Sequence, residues 1–411
     1  MNQTGAGHLG QIVVIGAGQA GSALTAKLRN LGYDGDITLI GEETKPPYQR
    51  PPLSKAYLMG EMEEERLYLR PAAFYADNNI TLRLGSRVSA VDLAAKTVEL
   101  DDEKIAYDQL AFTTGSDPRR LPASIGGDLE GVFTVRSIAD IDRMAPSVAE
   151  GRRVLVIGGG YIGLEAAAVA AKKGMTVTLV EMAERILQRV AAPETSDYFR
   201  ALHQEKGVNI LEGVGLERLV GEGTVTGARL TNGTELDIDM AIVGVGIAPS
   251  TDVAAHAGII AENGIETDAF GKTSDPSVWA AGDCASLLFK ENRIRLESVQ
   301  NAIDQAEAVA ENMLGANKPY EPFPWFWSDQ YDVKLQIAGL NTGYTNVVTR
   351  AGEKPGAQSH WYYNSDQLLA VDSMNDPRAY MVGKRLIEAG KSPAPREVSD
   401  PETDLKMLLR P

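Results

Sequence analysis

Ile12-Val13-Val14-Ile15-Gly16-Ala17-Gly18-Gln19-Ala20-Gly21 is the stretch from which the rest of the chain can be read. A short apolar run rich in β-branched residues reads as a buried strand, and it opens directly into Gly-x-Gly-x-x-Gly and a helical pattern. In that setting each glycine has a mechanical task. Gly16 permits the tight turn, Gly18 lets the backbone approach a pyrophosphate, and Gly21 lets helix and strand pack closely. The helix's unpaired N–H groups and positive dipole end then face the phosphates. An acidic residue is expected about 20 residues further on, to accept ribose hydroxyls. Glu42 fills that place, just after Asp36-Ile37-Thr38-Leu39-Ile40, which reads as the second strand. The chain begins with a dinucleotide site.

The pattern recurs. Arg153-Val154-Leu155-Val156-Ile157 leads into Gly158-Gly159-Gly160-Tyr161-Ile162-Gly163 and the helical Leu164-Glu165-Ala166-Ala167-Ala168. The strand Thr176-Val177-Thr178-Leu179-Val180 follows and ends in Glu181. Each copy also has a tail: Asp108-Gln109-Leu110-Ala111-Phe112-Thr113-Thr114-Gly115 is mirrored by Asp239-Met240-Ala241-Ile242-Val243-Gly244-Val245-Gly246. Both tails run on to a proline, Pro118 and Pro249. Strand, loop and turn in the same order imply a duplicated architecture with one dinucleotide site per copy.

Composition narrows the class. At 411 residues and 44% hydrophobic, the chain can bury large cores and form several domains. No apolar run approaches a membrane span, and Met1 to Gly10 lacks the basic-then-apolar order of a signal peptide. The only cysteine, Cys284, excludes an internal disulfide and fits a reducing cytoplasm. Histidines at 8, 203, 256 and 360 give no zinc-like spacing, so no metal is expected. With 40 basic against 56 acidic side chains, the net charge of −16 disfavours nucleic acid or an anionic membrane as partner.

Between the first loop and its tail, Pro46-Pro47-Tyr48-Gln49-Arg50-Pro51-Pro52-Leu53-Ser54-Lys55 is held extended by four prolines. Ser54 is expected to N-cap a helix over residues 55–59, and the stiff loop is suited to fixing the Lys55 cation near a cofactor. After the second copy, Thr273 to Asp283 reads as a turn, a short buried strand and Gly282-Asp283, with Asp283 a candidate N-cap. An apolar helix from Ser298 to Leu314 ends at Gly315, as a C′ glycine should. Pro322 to Trp327 marks a boundary, beyond which residues 333–338, 346–350, 359–363 and 367–371 read as short strands. Helices are expected to start at Asp376-Pro377, ending at Gly390, and at Asp400-Pro401. The expected division is residues 1–117 with 248–323, residues 118–247, and residues 324–411 as a third, α+β domain.

Together the motifs resemble the two-dinucleotide-binding flavoprotein reductases, and within them the NADH-dependent ferredoxin reductases of the putidaredoxin reductase type. The resemblance covers essentially the whole chain. It is carried by PPLSKAYL (Pro51 to Leu58), GGGYIGLE (Gly158 to Glu165), AGDC (Ala281 to Cys284), ESVQNA (Glu297 to Ala302) and PWFWSDQY (Pro324 to Tyr331). It implies an α/β chain with two Rossmann-like dinucleotide-binding domains, the first for FAD and the second for NAD, plus the C-terminal α+β domain as an interface domain.

For the site residues the resemblance implies the following. Gly16, Gly18, Ala20 and Gly21 cradle the FAD pyrophosphate, and Glu42 binds the adenosine ribose. Arg50 and Lys55 lie along the flavin, Val88 and Arg136 along its adenine and phosphate portion, and Asp283 on the ribityl-phosphate region. Val299 places a backbone group near the pyrimidine edge. NADH occupies Gly158, Gly160, Ile162 and Gly163, with Glu181 on its ribose and Gly246 close by. Glu165 sits beside the nicotinamide and pairs with Lys55, while Trp327 covers the flavin on the other side.

A carboxylate at the position of Glu181 accepts hydrogen bonds from two ribose hydroxyls and repels a 2′-phosphate. NADH is therefore expected over NADPH, with Arg185 the one nearby residue that could reach a phosphate. A cation such as Lys55 favours negative charge developing in a water-poor site. Disulfide reductases on this scaffold carry a redox-active cysteine pair, and related oxidases and peroxidases one cysteine in the first domain; here that domain has none, and Cys284 reads as a small packing residue. Electrons then leave to a docked metalloprotein, which the resemblance implies is a two-iron two-sulfur ferredoxin serving a cytochrome-type monooxygenase. Lys290, Arg293, Arg295, Lys334, Lys384 and Arg385 are candidate docking cations on an otherwise acidic chain. The competing readings are an NADH oxidase or peroxidase without protein partner, and a flavin-bearing redox-signalling protein.

Overall fold

Hydrogen bonding joins the apolar runs of the first copy into one parallel sheet, ordered Val278–Ala280, Gln109–Phe112, Gln11–Ile15, Asp36–Ile40, Ile80–Arg83. All but the edge strand Ile80–Arg83 are buried along almost their whole length, as parallel strands covered on both faces must be. In the computed structural model, residues 10–101 and 103–410 are described. His8 and all but the last residue of the N-terminal stretch considered above as a leader lie outside the described residues.

The second copy repeats the arrangement as Asn209–Glu212, Thr176–Glu181, Arg153–Ile157, Met240–Val243, Val132–Thr134, again all parallel. Each copy runs from its first strand through the glycine loop into a 12-residue helix, Gln19–Asn30 and Tyr161–Lys172. Each is accompanied by a three-stranded antiparallel sheet, Val88–Asp92 with Thr97–Leu100 and Glu103–Ala106 in the first, Leu216–Glu222 with Thr224–Leu230 and Glu235–Asp237 in the second.

The last part of the chain is a five-stranded antiparallel sheet, ordered Trp325–Gln330, Val333–Gly339, Gln367–Met374, Gln358–Asn364, Asn346–Ala351. The helix Pro377–Glu388 packs on it through Ala379, Val382 and Leu386. Asp376 caps that helix through the amide of Ala379, with proline at N1, and Gly390 follows its end with φ +65°. Ser298 likewise caps Val299–Met313.

The described residues divide into two units. One comprises the chain up to Gln49, Glu64–Asp117 and Ala248–Pro322; the other comprises Arg50–Glu63, Pro118–Ile247 and the chain from Phe323 onward. The proline-rich segment is thus split after Gln49, and its part with Lys55 belongs to the second unit although chain order places it inside the first.

Four local expectations are corrected. Ser54 caps no helix: Leu53–Tyr57 is a wide, distorted turn with Lys55 at φ −130°, ψ −110°, and the Ser54 hydroxyl is used elsewhere. Asp283 precedes a strand, Ala285–Phe289, and accepts a hydrogen bond from Ser116 Oγ at 3.0 Å. Asp400 ends the short helix Pro395–Ser399 instead of starting one. The Arg350 guanidinium gathers the carbonyls of Val398, Asp400, Pro401 and Thr403, which pins residues 400–403 as a loop at the end of that helix. Pro322 to Trp327, expected as a boundary, runs into an edge strand, Trp325–Gln330.

Within the second unit, Thr195 Oγ1 donates to Asp372 Oδ2 at 2.8 Å and lies 2.7 Å from His360 Nδ1, and the Tyr362 hydroxyl donates to the same carboxylate oxygen. Burial pushes Asp372 up to about 6 and His360 down to about 4. The signs oppose. Asp372 contributes stability that is present at low pH and lost as pH rises through about 6; His360 contributes stability that is lost as pH falls below its ordinary value toward 4. Asp372→Asn removes the compensating term, so melting temperature should fall more steeply than wild type between pH 6 and 4, a difference of about 3 kcal/mol. Parallel melting curves across that window would refute the coupling.

Candidate active site

The glycine loops of the two copies can be tested for room. A Cβ on Gly16, whose φ is +114°, would stand 2.2 Å from the Thr113 carbonyl, and one on Gly21 2.1 Å from the Gly16 carbonyl. A Cβ on Gly18 would meet no protein atom within 4 Å. The protein's own packing therefore demands the first and third glycines, while the second keeps space for something else. Gly18 is also the N-cap of its helix and offers no side chain to the first-turn amides. The second loop behaves identically. Gly158 and Gly163 would clash at 2.3 and 2.0 Å with the carbonyls of Gly244 and Gly158, and Gly160 is open and extended. Both loops fit a dinucleotide pyrophosphate.

The acids that end the second strands differ. Glu42 is exposed and paired with Arg87 at 2.8 Å. Glu181 is half-buried and accepts from the amides of Gly159 at 2.7 Å and Ala183 at 2.8 Å, one on each oxygen. A carboxylate oxygen has a second lone pair, so Glu181 is fixed in place and still able to accept. Arg185 is turned to Ser196 Oγ, 2.5 Å away, and to the Gln188 carbonyl. Gly246 has φ +97° and its carbonyl accepts from the Arg119 amide, and Ile162 leaves 43% of its surface exposed on the first turn of the helix.

The charged centre lies in the second unit. Lys55 Nζ is 3.1 Å from Glu165 Oε1 and 3.4 Å from Asp329 Oδ2. Glu165 is 7% exposed and accepts further from Ser54 Oγ at 3.2 Å and Ser328 Oγ at 2.7 Å. Burial pushes its carboxyl upward, and the Lys55 charge with the two hydroxyls pulls it back. The sequence paired Lys55 with Glu165; it missed Ser54, Ser328 and Asp329. The available signal was the PWFWSDQY run itself, whose alternation as a strand turns Ser328 and Gln330 to the buried face.

The remaining residues fall as follows. Trp327 is half-buried on the edge strand, beside Trp325 at 5.5 Å between ring centroids. Arg50 donates to the Arg136 carbonyl at 2.6 Å. Val88 is buried in a core with Ile15, Phe112 and Cys284, and Cys284 is fully buried there. Val299 opens its helix, next to the cap Ser298, and Ala20 is buried in the first turn of the loop helix. Arg293 and Arg295 are held by backbone carbonyls of Ser286 and Asp283 and by Glu266 and Glu297. Lys334, Arg385 and the apolar Met381 are exposed, and Lys384 lies over the Trp325 ring.

Among the described residues no group of three or more His, Cys, Asp or Glu side chains could hold a metal ion, and no helix is long and apolar enough to cross a membrane. A parallel-sheet pair with two glycine loops, a Lys–Glu pair on a buried carboxylate and no second cysteine defines a pyridine-nucleotide oxidoreductase without a disulfide relay. Residues 10–306 match the pyridine nucleotide-disulphide oxidoreductase family, and residues 325–409 the reductase C-terminal family. Rhodocoxin reductase of Rhodococcus erythropolis is 40% identical over 97% of this chain and 94% of its own. Putidaredoxin reductase CamA of Pseudomonas putida is 38% identical over 97% and 96%. The reductase in the crystal structure of the covalent putidaredoxin reductase–putidaredoxin complex superposes with a TM-score of 0.94 at 37% identity, covering 97% of this chain and 98% of that one. The chain belongs to the pyridine nucleotide-disulphide oxidoreductases, in their branch of ferredoxin reductases of the putidaredoxin reductase type.

Proposed function

We propose that this chain is an FAD-dependent NADH:ferredoxin oxidoreductase whose partner is a two-iron two-sulfur ferredoxin serving a cytochrome-type monooxygenase in the cytoplasm. The pair of half-buried Lys55 with buried Glu165 carries the reading, because it places a fixed cation in a chain with one buried cysteine. FAD, when bound, supplies the conversion of a hydride into single electrons. Residues 1–117 with 248–323 hold FAD, residues 118–247 hold NADH, and residues 324–411 form the interface domain.

The chain's own residues bind, orient and tune. Gly16, Gly18, Ala20 and Gly21 hold the FAD pyrophosphate on helix amides, with Glu42, Arg50, Val88, Arg136, Asp283 and Val299 along the rest of the cofactor. Gly158, Gly160, Ile162, Gly163 and Gly246 do the same for NADH. Lys55 offsets negative charge near the ring, Glu165 holds Lys55 in place, and Trp327 excludes water from one face. Lys334, Lys384 and Arg385 guide docking; Arg293 and Arg295 are already committed to other groups. Lys290 remains in the docking set on position alone.

Glu181 selects NADH, supported by the anchoring of its carboxylate and by the commitment of Arg185 to Ser196. Glu181→Ala should raise the KM for NADH about tenfold and improve use of NADPH. Steady-state kinetics with both nucleotides test this, and unchanged discrimination would remove Glu181 from the site. The function as a whole is tested by stopped-flow mixing of holoenzyme with NADH and then a panel of two-iron ferredoxins. Rapid oxygen consumption without any ferredoxin would favour an oxidase.

A further inference from the structure

Lys55 and Glu165 end a longer chain of hydrogen bonds. Ser328 Oγ, 2.7 Å from Glu165 Oε1, lies 3.2 Å from Gln330 Nε2; Gln330 Oε1 lies 2.8 Å from His203 Nε2, and His203 Nδ1 3.3 Å from the Tyr331 hydroxyl. Ser328, Gln330 and His203 are all 0% exposed, so the bonds from Glu165 to His203 are shielded from bulk water, while the last one, to the half-buried Tyr331, is only partly so.

The direction of every bond follows from one end. Glu165 beside the Lys55 ammonium is an acceptor, so Ser328 must donate to it. The Ser328 oxygen then accepts from Gln330 Nε2–H, which turns Gln330 Oε1 toward His203. That oxygen needs a donor, so His203 carries its proton on Nε2 and its Nδ1 accepts from Tyr331. The reverse chain would leave Glu165 without the Ser328 proton.

We propose that Gln330 and His203 are positioning residues for the Lys55–Glu165 pair, acting through Ser328 by a buried one-way hydrogen-bond chain. This rests on the role given to Lys55 above. Without Gln330, the Ser328 hydroxyl is free to rotate, Glu165 loses a fixed donor, and the ammonium is redistributed between Glu165 and Asp329, which it already reaches at 3.4 Å.

The test uses flavin-loaded holoenzyme. Gln330→Met keeps length without polarity, and Ser328→Ala, a smaller change, carries the test where Gln330→Met does not fold. Each should slow reduction by saturating NADH about tenfold, with KM for NADH and the rate of ferredoxin reduction by prereduced enzyme unchanged. The double variant should match either single one, and Gln330→Met should add nothing in a Lys55→Met background. In 15N-resolved NMR of the wild type, the His203 ring should carry its proton on Nε2. Wild-type reduction rates in Gln330→Met and Ser328→Ala alongside a slow Lys55→Met would overturn the inference alone, as would effects that multiply or an Nδ1–H tautomer. A wild-type rate in Lys55→Met would overturn the underlying role as well.

Discussion

Lys55→Met should lower the rate of reduction by saturating NADH about 100-fold, the size of effect seen when one preorganised charge-stabilising group is removed from a closed site. Methionine preserves length and much of the volume, so the loss is one of charge. Glu165 would keep only the Ser54 and Ser328 hydroxyls as partners. A buried carboxylate stripped of its cation costs about 3–5 kcal/mol, or it takes up a proton instead. Burial already raises this carboxyl, so protonation is the cheaper outcome. The penalty therefore belongs to the ionised form: the deficit in melting temperature relative to wild type should be largest at pH 8 and shrink as pH falls toward the ordinary carboxyl range. Glu165→Gln added to Lys55→Met should restore most of the stability and none of the rate. Stopped-flow and thermal melts at several pH values measure both. A wild-type rate of reduction would exclude Lys55 from the chemistry.

Gly18→Val should give a folded chain that is isolated colourless. The position is open, since a Cβ there meets no protein atom within 4 Å, and its φ of −99° is negative, as L residues require. The substitution costs the protein little and intrudes where a pyrophosphate needs the bare backbone. Gly16→Val is the contrast: the side chain meets the Thr113 carbonyl at 2.2 Å in a left-handed conformation, so that variant should fail to fold. Circular dichroism separates the two, and the flavin absorbance of purified protein reports binding. A Gly18→Val protein as yellow as wild type would remove this loop from the FAD site. The matching Gly160→Val should stay yellow while its KM for NADH rises.

The two glycine loops, their strands and their helices were legible in the amino-acid order because each is a local matter. Four apolar residues, a turn that only glycine permits and an amphipathic run lie within about 20 residues, and the backbone conformation is set by nearest neighbours. The same holds for Asp376-Pro377 and for Ser298, whose caps act three residues away.

What needed the tertiary structure is the set of groups that meet across long stretches of chain. Ser54 reads as a helix cap, and its hydroxyl is instead drawn to Glu165, a residue 111 positions away. Asp400-Pro401 reads as a helix start, but Arg350 binds the carbonyls there and fixes a loop. Val132–Thr134 closes the second sheet from before its glycine loop, whereas Val278–Ala280 closes the first from after it, and no periodicity distinguishes the two. Trp325–Gln330 is a strand only because Val333–Gly339 pairs with it, and only as a strand does it turn Ser328 and Gln330 inward. Sequence order fixed where each dinucleotide loop is. Which distant hydroxyls, carboxylates and amides surround Lys55 was decided by burial, because groups removed from water must find partners wherever the packed chain supplies them.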